Sequence, residues 1–211
     1  VLQTFGDSNT HGTRPLTQAG VLERHPPADR WPDVAAGALG PGWTLCAEGL
    51  PGRATAFDDP VTGAHLNGLM GLRIALLTHA PLDVLTVMLG TNDLKTRFGA
   101  PPDRIAAGLA ALLDLALLPD MQARSGGFRI LVIAPPPVAE AGVLAAQFQG
   151  AAEKARALAP RMAAVAAARG AAFLDAGLHA AVSPVDGVHL DPAAHHALGR
   201  AVAAAVRALG P

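Results

Sequence analysis

Five short apolar runs alternate with longer helical patterns along this chain of 211 residues. The apolar runs predict strands at Val1–Phe5, Trp43–Cys46, Leu82–Leu89, Phe128–Ala134 and Ala172–Leu174. The patterns between them predict helices at Trp31–Leu39, Asn67–His79, Pro102–Leu118, Ala145–Arg169 and Pro192–Leu209. Strands that alternate with helices form parallel sheets covered on both faces. We therefore predict one α/β domain over residues 1–211, with a doubly wound, flavodoxin-like sheet of about five parallel strands and helices on both faces.

Local signals support the predicted helix ends. Pro102 and Pro192 suit the first turn of a helix, where a missing N–H is tolerated. Asp191 is a plausible N-cap for the last helix, and Gly170 a plausible stop for the helix before it. No repeat or linker divides the chain.

Composition narrows the classes of function. A formal net charge of -1 gives no electrostatic basis for binding nucleic acid or an anionic membrane. The one cysteine, Cys46, cannot form an internal disulfide or a cysteine-based zinc site. No run approaches the roughly 20 apolar residues of a membrane span, and no secretory signal is visible. We expect a cytoplasmic location.

Charged residues make up 16% of the chain, below the roughly 25% typical of soluble domains. Two interpretations are open. Subunit contacts could bury part of the surface, which predicts a homo-oligomer. A strong alanine bias, as in residues 163–168, explains the same number without any partner.

Polar residues follow the predicted strands at the end where active sites of parallel sheets collect. The segment 6–8 (Gly-Asp-Ser) follows the first strand, 49–52 (Gly-Leu-Pro-Gly) the second, and 90–93 (Gly-Thr-Asn-Asp) the third. The segment 186–189 (Asp-Gly-Val-His) precedes the last helix. We expect these four loops to meet at one edge of the sheet.

These loops contain the groups needed for nucleophilic acyl transfer. Ser8 supplies a hydroxyl, His189 a base and Asp186 a carboxylate that can orient the base. Asn92 and Gly52 offer donors for an oxyanion, beside the N–H of Ser8 itself. Each group also has an ordinary structural reading. Ser8 could be an N-cap, Asp186 a turn residue and His189 a surface residue, while Asn92 and Gly52 could serve turns.

Taken together, the order of these segments resembles the SGNH, or GDSL-type, hydrolases nearly from end to end. Narrower similarity to the aryl esterase and acyltransferase branch comes from segments 48–55, 58–60, 66–68, 88–95 and 134–137. That branch cleaves short acyl esters, some members pass the acyl group to alcohols or hydrogen peroxide, and oligomers are common. The resemblance implies a small-molecule ester as substrate and no metal or organic cofactor.

The resemblance also implies roles for individual residues. Ser8 would be the nucleophile, His189 the general base and then acid, and Asp186 its orienting partner. Ser8, Gly52 and Asn92 would form the oxyanion hole. The residues expected to contact substrate are Asn9, His11, Leu94, Lys95 and Val188. Asn9 stands where many relatives have leucine and His11 where close relatives often have tryptophan, so the departures fall beside the expected acyl or alcohol pocket.

Other classes of protein compete with this interpretation. A metal hydrolase would use the histidines near the end of the chain, but no HExxH motif occurs, and His195 and His196 are predicted to cap or decorate the last helix. An α/β-hydrolase needs Gly-x-Ser-x-Gly, and residue 10 is threonine. A catalytically inactive binding or scaffold protein with the same fold remains the alternative, although such a protein could lose any of the five site residues.

Overall fold

The computed structural model describes residues 1–210 and contains a five-stranded parallel sheet. The strands are β1 (Leu2–Gly6), β2 (Leu45–Gly49), β3 (Val84–Met88), β4 (Arg129–Ala134) and β5 (Ala172–Asp175). Their order in the sheet is β2-β1-β3-β4-β5, and every neighbouring pair is parallel. This is the flavodoxin-like order, so the predicted fold class is confirmed.

Eight α-helices accompany the sheet within residues 1–210. They are α1 (Ser8–His11), α2 (Trp31–Leu39), α3 (Gly68–His79), α4 (Pro102–Ala116), α5 (Pro119–Ala123), α6 (Ala151–Arg156), α7 (Leu158–Ala167) and α8 (Pro192–Ala208). Short 3-10 turns occupy several connections, including Asn92–Leu94 and Gly142–Phe148. None of the helices described is both long and apolar enough to cross a membrane.

Most predicted elements lie where the sequence placed them, and two differ. The second strand runs from Leu45 to Gly49 and not from Trp43 to Cys46. The predicted helix Ala145–Arg169 is wrong: a 3-10 turn, α6 and α7 fill this stretch. Gly150 adopts a φ of 73°, which separates the 3-10 turn from α6. Pro160 in α7 lacks the N–H that would bond to the carbonyl of Arg156 in a continuous helix.

The caps of the last helices also differ in part. Asp191 occupies the N-cap position of α8, but its side chain makes no capping hydrogen bond; its backbone carbonyl accepts from the N–H of His195 instead. Gly170, with a φ of 67°, follows two residues after the C-cap of α7. A left-handed residue at this place reverses the chain into β5.

Alternating side chains of the strands build a separate core on each face of the sheet. In β4, Ile130 and Val132 pack into the cluster that contains residues of α3, α4 and α7. Leu131 and Ile133 point the other way, into the cluster that contains residues of α2 and α8. Both faces are therefore covered, and the central strands β1 and β3 are buried at every position.

The order of the strands determines where a ligand can bind. β1 lies between β2 and β3, so the connections leaving β1 reverse direction at this point in the sheet. Crevices form beyond the carboxyl ends of strands at such a switch point. Gly6, the last residue of β1, is in register with Gly49 of β2 and Met88 of β3, so the loops that follow these three strands start side by side.

Helices α2 and α8 cross closely at Gly199. A Cβ on Gly199 would lie 2.7 Å from Cβ of Val34 and 2.8 Å from the carbonyl oxygen of Trp31. Trp31 is fully buried at this crossing. The absence of a side chain at position 199 therefore sets the distance between the two helices.

We expect Gly199→Ala to lower the free energy of unfolding by about 1–3 kcal/mol, because the added methyl group overpacks the crossing. Gly37→Ala is the matched control in α2, since a Cβ there meets nothing within 4 Å. This control should gain about 0.5–1 kcal/mol from the better helix propensity of alanine. Urea denaturation of both variants checks the pair. Equal stability of Gly199→Ala and the parent chain would contradict the close crossing.

Candidate active site

Ser8 begins helix α1 directly after β1. Asp7, and not Ser8, is the N-cap: its Oδ1 accepts a hydrogen bond from the N–H of Asn9 at 3.0 Å. The N-cap reading of Ser8 is therefore wrong, and its hydroxyl is available for another partner. As the first helical residue, Ser8 also keeps an N–H with no intrahelical acceptor. Burial raises the pKa of Asp7 to about 6, against the lowering effect of the Asn9 hydrogen bond.

A chain of hydrogen bonds joins Ser8, His189 and Asp186. The Oγ of Ser8 lies 3.0 Å from Nε2 of His189, and Nδ1 of His189 lies 2.6 Å from Oδ2 of Asp186. An ionised carboxylate can only accept, so Nδ1 carries the proton in this arrangement. Nε2 of the neutral imidazole is then the acceptor, and the hydroxyl of Ser8 donates to it. The three side chains are buried, with 6%, 5% and 0% exposure for Ser8, His189 and Asp186.

Asp186 is held by backbone donors as well as by the imidazole. Its Oδ1 accepts from the N–H groups of Val188 and His189, both at 2.9 Å, and its Oδ2 accepts from the N–H of Leu16 at 2.7 Å. Burial alone would raise the pKa of this carboxyl, but the hydrogen bonds from His189 and Leu16 outweigh it and lower the pKa to about 2. Asp186 therefore stays ionised at neutral pH and fixes the tautomer of His189.

Asn9 braces the loop that contains His189. Its Nδ2 donates to the carbonyl of Val188 at 3.0 Å, and its Oδ1 accepts from the N–H of Leu190 at 3.2 Å. The side chain is 1% exposed and does not line the cavity beside Ser8. The structure thus places Asn9 outside the cavity where a substrate contact is expected, and both ends of its amide bind the backbone on either side of His189.

Two further donors face Ser8 from the loops after β2 and β3. Gly52 has a φ of 90°, and a Cβ there would lie 3.0 Å from Cδ1 of Leu66. Asn92 uses one amide hydrogen on the carbonyl of Arg53 at 3.0 Å, which leaves the second available. Ser8, Gly52 and Asn92 all line the same cavity, so the structure brings the five main site residues together.

Asp93 ties the Gly52 loop to the loop after β3. Its carboxylate accepts from the N–H of Thr55 at 3.0 and 3.1 Å and from the Thr55 hydroxyl. Burial raises the pKa of Asp93 to about 6, while the Thr55 hydrogen bonds act in the opposite direction. Asn92 and Asp93 thus bind Arg53 and Thr55, which follow Gly52 in the same loop. These contacts fix the position of Gly52.

A cavity of about 350 Å³ opens beside Ser8 and His189. Its apolar walls come from Leu16, Leu22, Leu66, Leu144, Phe148 and Val188. Of the residues expected to contact substrate, Val188 and Lys95 line it. Leu94 and His11 do not: Leu94 is buried in the core between sheet and helices, and Nδ1 of His11 lies 3.0 Å from Oγ1 of Thr13. The structure therefore places neither Leu94 nor His11 at the cavity wall, where the predicted substrate contact would be made.

The two histidines of α8 have different environments. His195 is fully buried and its Nδ1 accepts from the N–H of Trp31 at 3.3 Å, so it does not decorate the helix surface. Burial, followed by the nearby His25, lowers the pKa of His195 to about 3. His196 is partly exposed and its Nε2 lies 3.0 Å from Oδ1 of Asp29. Neither lines the cavity with Ser8.

Within the described residues, one set of potential metal ligands clusters: Cys46, Glu48 and His79, with ligand atoms within 4.8 Å of one another. The Glu48 carboxylate already bonds to Nε2 of His79 at 2.8 Å and lies 4.0 Å from the Arg53 guanidinium. None of the three clustered residues lines the cavity beside Ser8. The cluster therefore takes no part in the chemistry of the serine site.

Sequence reasoning missed several residues that shape the site. Asp93 has no role assigned from the sequence, although it stands next to Asn92 in the segment 90–93. The backbone N–H of Leu16 donates to Asp186, 170 positions further along the chain. Because the donor is a backbone group, the residue type at position 16 gives no indication of this contact. Arg53 lies directly after Gly52, and its guanidinium donates to the carbonyl of Gly6 at 2.9 Å, so it joins the loop after β2 to the end of β1.

Known proteins are similar to this chain in sequence and in fold. The profile of the GDSL-like lipase/acylhydrolase family matches residues 4–197. A carbohydrate acetylesterase, Est24 from Sinorhizobium meliloti, is 36% identical and superposes with a TM-score of 0.93, covering 99% of this chain and 98% of its own. An aryl esterase from M. smegmatis is 37% identical with the same TM-score and the same coverages.

A more distant structure shows the fold alone. A member of the lipolytic G-D-S-L family from Veillonella parvula is 14% identical and has a TM-score of 0.66, covering 94% of this chain and 93% of its own. Among curated protein sequences, none matches this chain significantly.

We expect Asn9→Leu to reduce kcat for ester hydrolysis about tenfold or more. The change removes two hydrogen bonds that hold the backbone beside His189, and such bonds contribute roughly 0.5–1.5 kcal/mol each. KM should change less, because Asn9 does not line the cavity. Steady-state kinetics on a chromogenic acetate ester, with thermal unfolding to verify the fold, gives the answer. A change confined to KM would place Asn9 in the substrate pocket after all.

Proposed function

Because the chain belongs to the GDSL-like lipase/acylhydrolase family of serine ester hydrolases, we propose that it hydrolyses short-chain acyl esters of aryl, alkyl or sugar alcohols through an acyl-enzyme on Ser8. The observation that carries this proposal is the hydrogen-bonded chain from Ser8 through His189 to Asp186 at the wall of a cavity. A nucleophile, a base and an orienting carboxylate within hydrogen-bonding reach of one another are what acyl transfer requires.

The first half of the reaction forms the acyl-enzyme. His189 takes the proton of the Ser8 hydroxyl at Nε2 as Oγ attacks the ester carbonyl carbon. The resulting imidazolium is stabilised by the ionised Asp186 at Nδ1. His189 then gives the proton to the alkoxide oxygen of the leaving alcohol, and the carbonyl re-forms on Ser8.

The second half repeats these steps with water. His189 removes a proton from the water molecule that attacks the acyl carbon, and Ser8 Oγ recovers a proton from Nε2 as the carboxylic acid leaves. In both halves the carbonyl oxygen becomes negatively charged in the tetrahedral intermediate. The N–H groups of Ser8 and Gly52 and the second amide hydrogen of Asn92 are the donors that we assign to this oxygen.

The size and lining of the cavity support a short acyl group. About 350 Å³ is at the lower end of the range of roughly 300–1,000 Å³ for small-molecule sites. Apolar side chains such as Leu66, Phe148 and Val188 suit an aryl or alkyl portion. Hydrolysis of acetylated sugars is included because the solved structure of Est24 is described as a carbohydrate acetylesterase.

We extend the proposal to acyl transfer, with an alcohol or hydrogen peroxide replacing water in the second half of the reaction. The apolar walls of the cavity suit the hydrocarbon part of an alcohol acceptor. Product analysis in mixtures of water and a primary alcohol, at low alcohol content, would detect the transferred ester. Formation of free acid alone would limit the chain to hydrolysis.

We also propose that the chain forms a homo-oligomer. Helix α3 exposes Met70, Ile74 and Leu77, which share one side of the helix at spacings of four and three residues. Light scattering should give a mass above that of one chain, and Ile74→Glu should lower it. A monomer mass for the parent chain at working concentration would reject this proposal.

Ser8→Ala should abolish turnover of 4-nitrophenyl acetate, because no acyl-enzyme can form without the hydroxyl. Ser125→Ala is the matched control, since the Ser125 hydroxyl accepts from the N–H of Leu82 in a connecting loop away from the cavity. This control should keep the parent rate. Equal rates for Ser8→Ala and the parent chain would favour the inactive binding or scaffold alternative, with the observed hydrolysis arising elsewhere.

Asn92→Ala should lower kcat about 100-fold to 1,000-fold through loss of one oxyanion donor. The same change also frees the carbonyl of Arg53, so circular dichroism and thermal unfolding must show that the fold is retained. A folded variant with an unchanged kcat would remove Asn92 from the oxyanion hole.

A further inference from the structure

Two cations line the cavity beside Ser8, Lys95 and Arg97. Among residues 1–210, no Asp or Glu side chain lines it. A cavity built only for neutral aryl or alkyl esters does not need either cation. Two positive charges at the wall of the cavity indicate a ligand, or a protein group, of opposite charge.

The charge of Arg97 is already balanced by the protein. Its guanidinium pairs with the carboxylate of Asp59 and lies 3.4 Å from Oε1 of Gln147. Asp59 is 3% exposed and also accepts from the N–H groups of Val61 and Thr62, at 2.9 and 3.0 Å. Arg97 is therefore fixed in place and can add only a weak attraction for a ligand.

The charge of Lys95 is not balanced in this way. Throughout the described part of the chain, the side chain of Lys95 takes part in no ion pair and no hydrogen bond; its Nζ lies 5.8 Å from the centre of the Phe148 ring. The carboxylates that act on the charge of Lys95, in decreasing order of effect, are Asp59, Asp7 and Asp93. Each is already engaged: Asp59 pairs with Arg97, Asp7 accepts from the N–H of Asn9, and Asp93 accepts from Thr55.

We infer that Lys95, with Arg97 beside it, binds an anionic group of the ester, so that the preferred substrate is a short-chain ester with a free carboxylate. The inference rests on the proposed esterase activity and names the substrate class for that same site. A carboxylate on either the acyl or the alcohol part would satisfy the ammonium group of Lys95. Charge-assisted hydrogen bonds of this kind are about twice as strong as neutral ones.

The surroundings of Lys95 also give this contact a pH dependence. Burial and the neighbouring Arg97 lower the pKa of Lys95 to about 8, against the opposite effects of Asp59, Asp7 and Asp93. A lysine loses its charge as the pH rises through its pKa, while the carboxylate of the ester keeps its own. The preference for an anionic ester should therefore be full near pH 7 and decline above about pH 8.

The test compares two matched pairs of esters at pH 7. For the alcohol part the pair is 4-acetoxybenzoate and its neutral methyl ester; for the acyl part it is monomethyl succinate and dimethyl succinate. We expect kcat/KM for the anionic member to exceed that of the neutral member by about tenfold in one pair, which identifies the part of the ester that faces Lys95.

Variants of Lys95 then test whether the preference for the anionic ester depends on this side chain. Lys95→Met should reduce the ratio of anionic to neutral kcat/KM to about 1, and Lys95→Arg should retain it and extend it above pH 8, because arginine stays charged. Lys154→Met is the matched control: Lys154 is the other lysine of the chain, lies in α6 and does not line the cavity. Both ester classes should react with this control as with the parent chain.

The outcomes separate the two proposals. Failure of the parent chain to hydrolyse any of the four esters would contradict the proposed esterase function. Hydrolysis of the neutral esters with no advantage for either anionic ester, or an advantage that persists in Lys95→Met, would overturn the role of Lys95 and leave the esterase function standing.

Discussion

The buried carboxylate of Asp186 connects the parts of this active site. Four hydrogen bonds converge on it, from the His189 ring, from the N–H groups of Val188 and His189, and from the N–H of Leu16. These donors outweigh the cost of burying the charge, so the carboxylate is ionised at neutral pH. The same group therefore fixes the imidazole tautomer, shapes the loop before α8 and holds the segment after α1 against that loop.

The sheet supplies the second constraint. Ser8 and His189 are separated by 181 positions in sequence, and Gly52 and Asn92 come from two other loops. Because β1 lies between β2 and β3, the loops after these strands begin next to one another, and α8 brings the fourth loop to the same edge. Hydrogen bonds from side chains to backbone groups then hold these loops in position. Asn9 binds the loop that contains His189, and Asn92 and Asp93 bind the loop that contains Gly52.

Much of this arrangement could be predicted from the sequence, and the failures have physical reasons. The strand-helix alternation predicted the sheet, and the placement of Ser8, Gly52, Asn92, Asp186 and His189 after successive strands predicted that they would meet. The family resemblance placed Asn9 beside the acyl or alcohol pocket, but successive residues on a helix point in different directions, and its side chain faces the His189 loop. His195 was predicted to cap or decorate the last helix, whereas in the structure it is buried and its Nδ1 accepts from the N–H of Trp31 in α2. Contacts between segments that are distant along the chain produce no local pattern in the sequence.

The central claim is that Ser8 forms the covalent intermediate. Treatment with diethyl 4-nitrophenyl phosphate, followed by intact-protein and peptide mass spectrometry, tests it without any assumption about the natural ester. Attack by an activated serine displaces nitrophenolate and leaves a diethylphosphoryl group on its oxygen. One modification per chain, located on the peptide that contains Ser8, is the expected result. An unmodified Ser8, or a modification at Ser125, Ser183 or another residue, would contradict the assignment of the nucleophile.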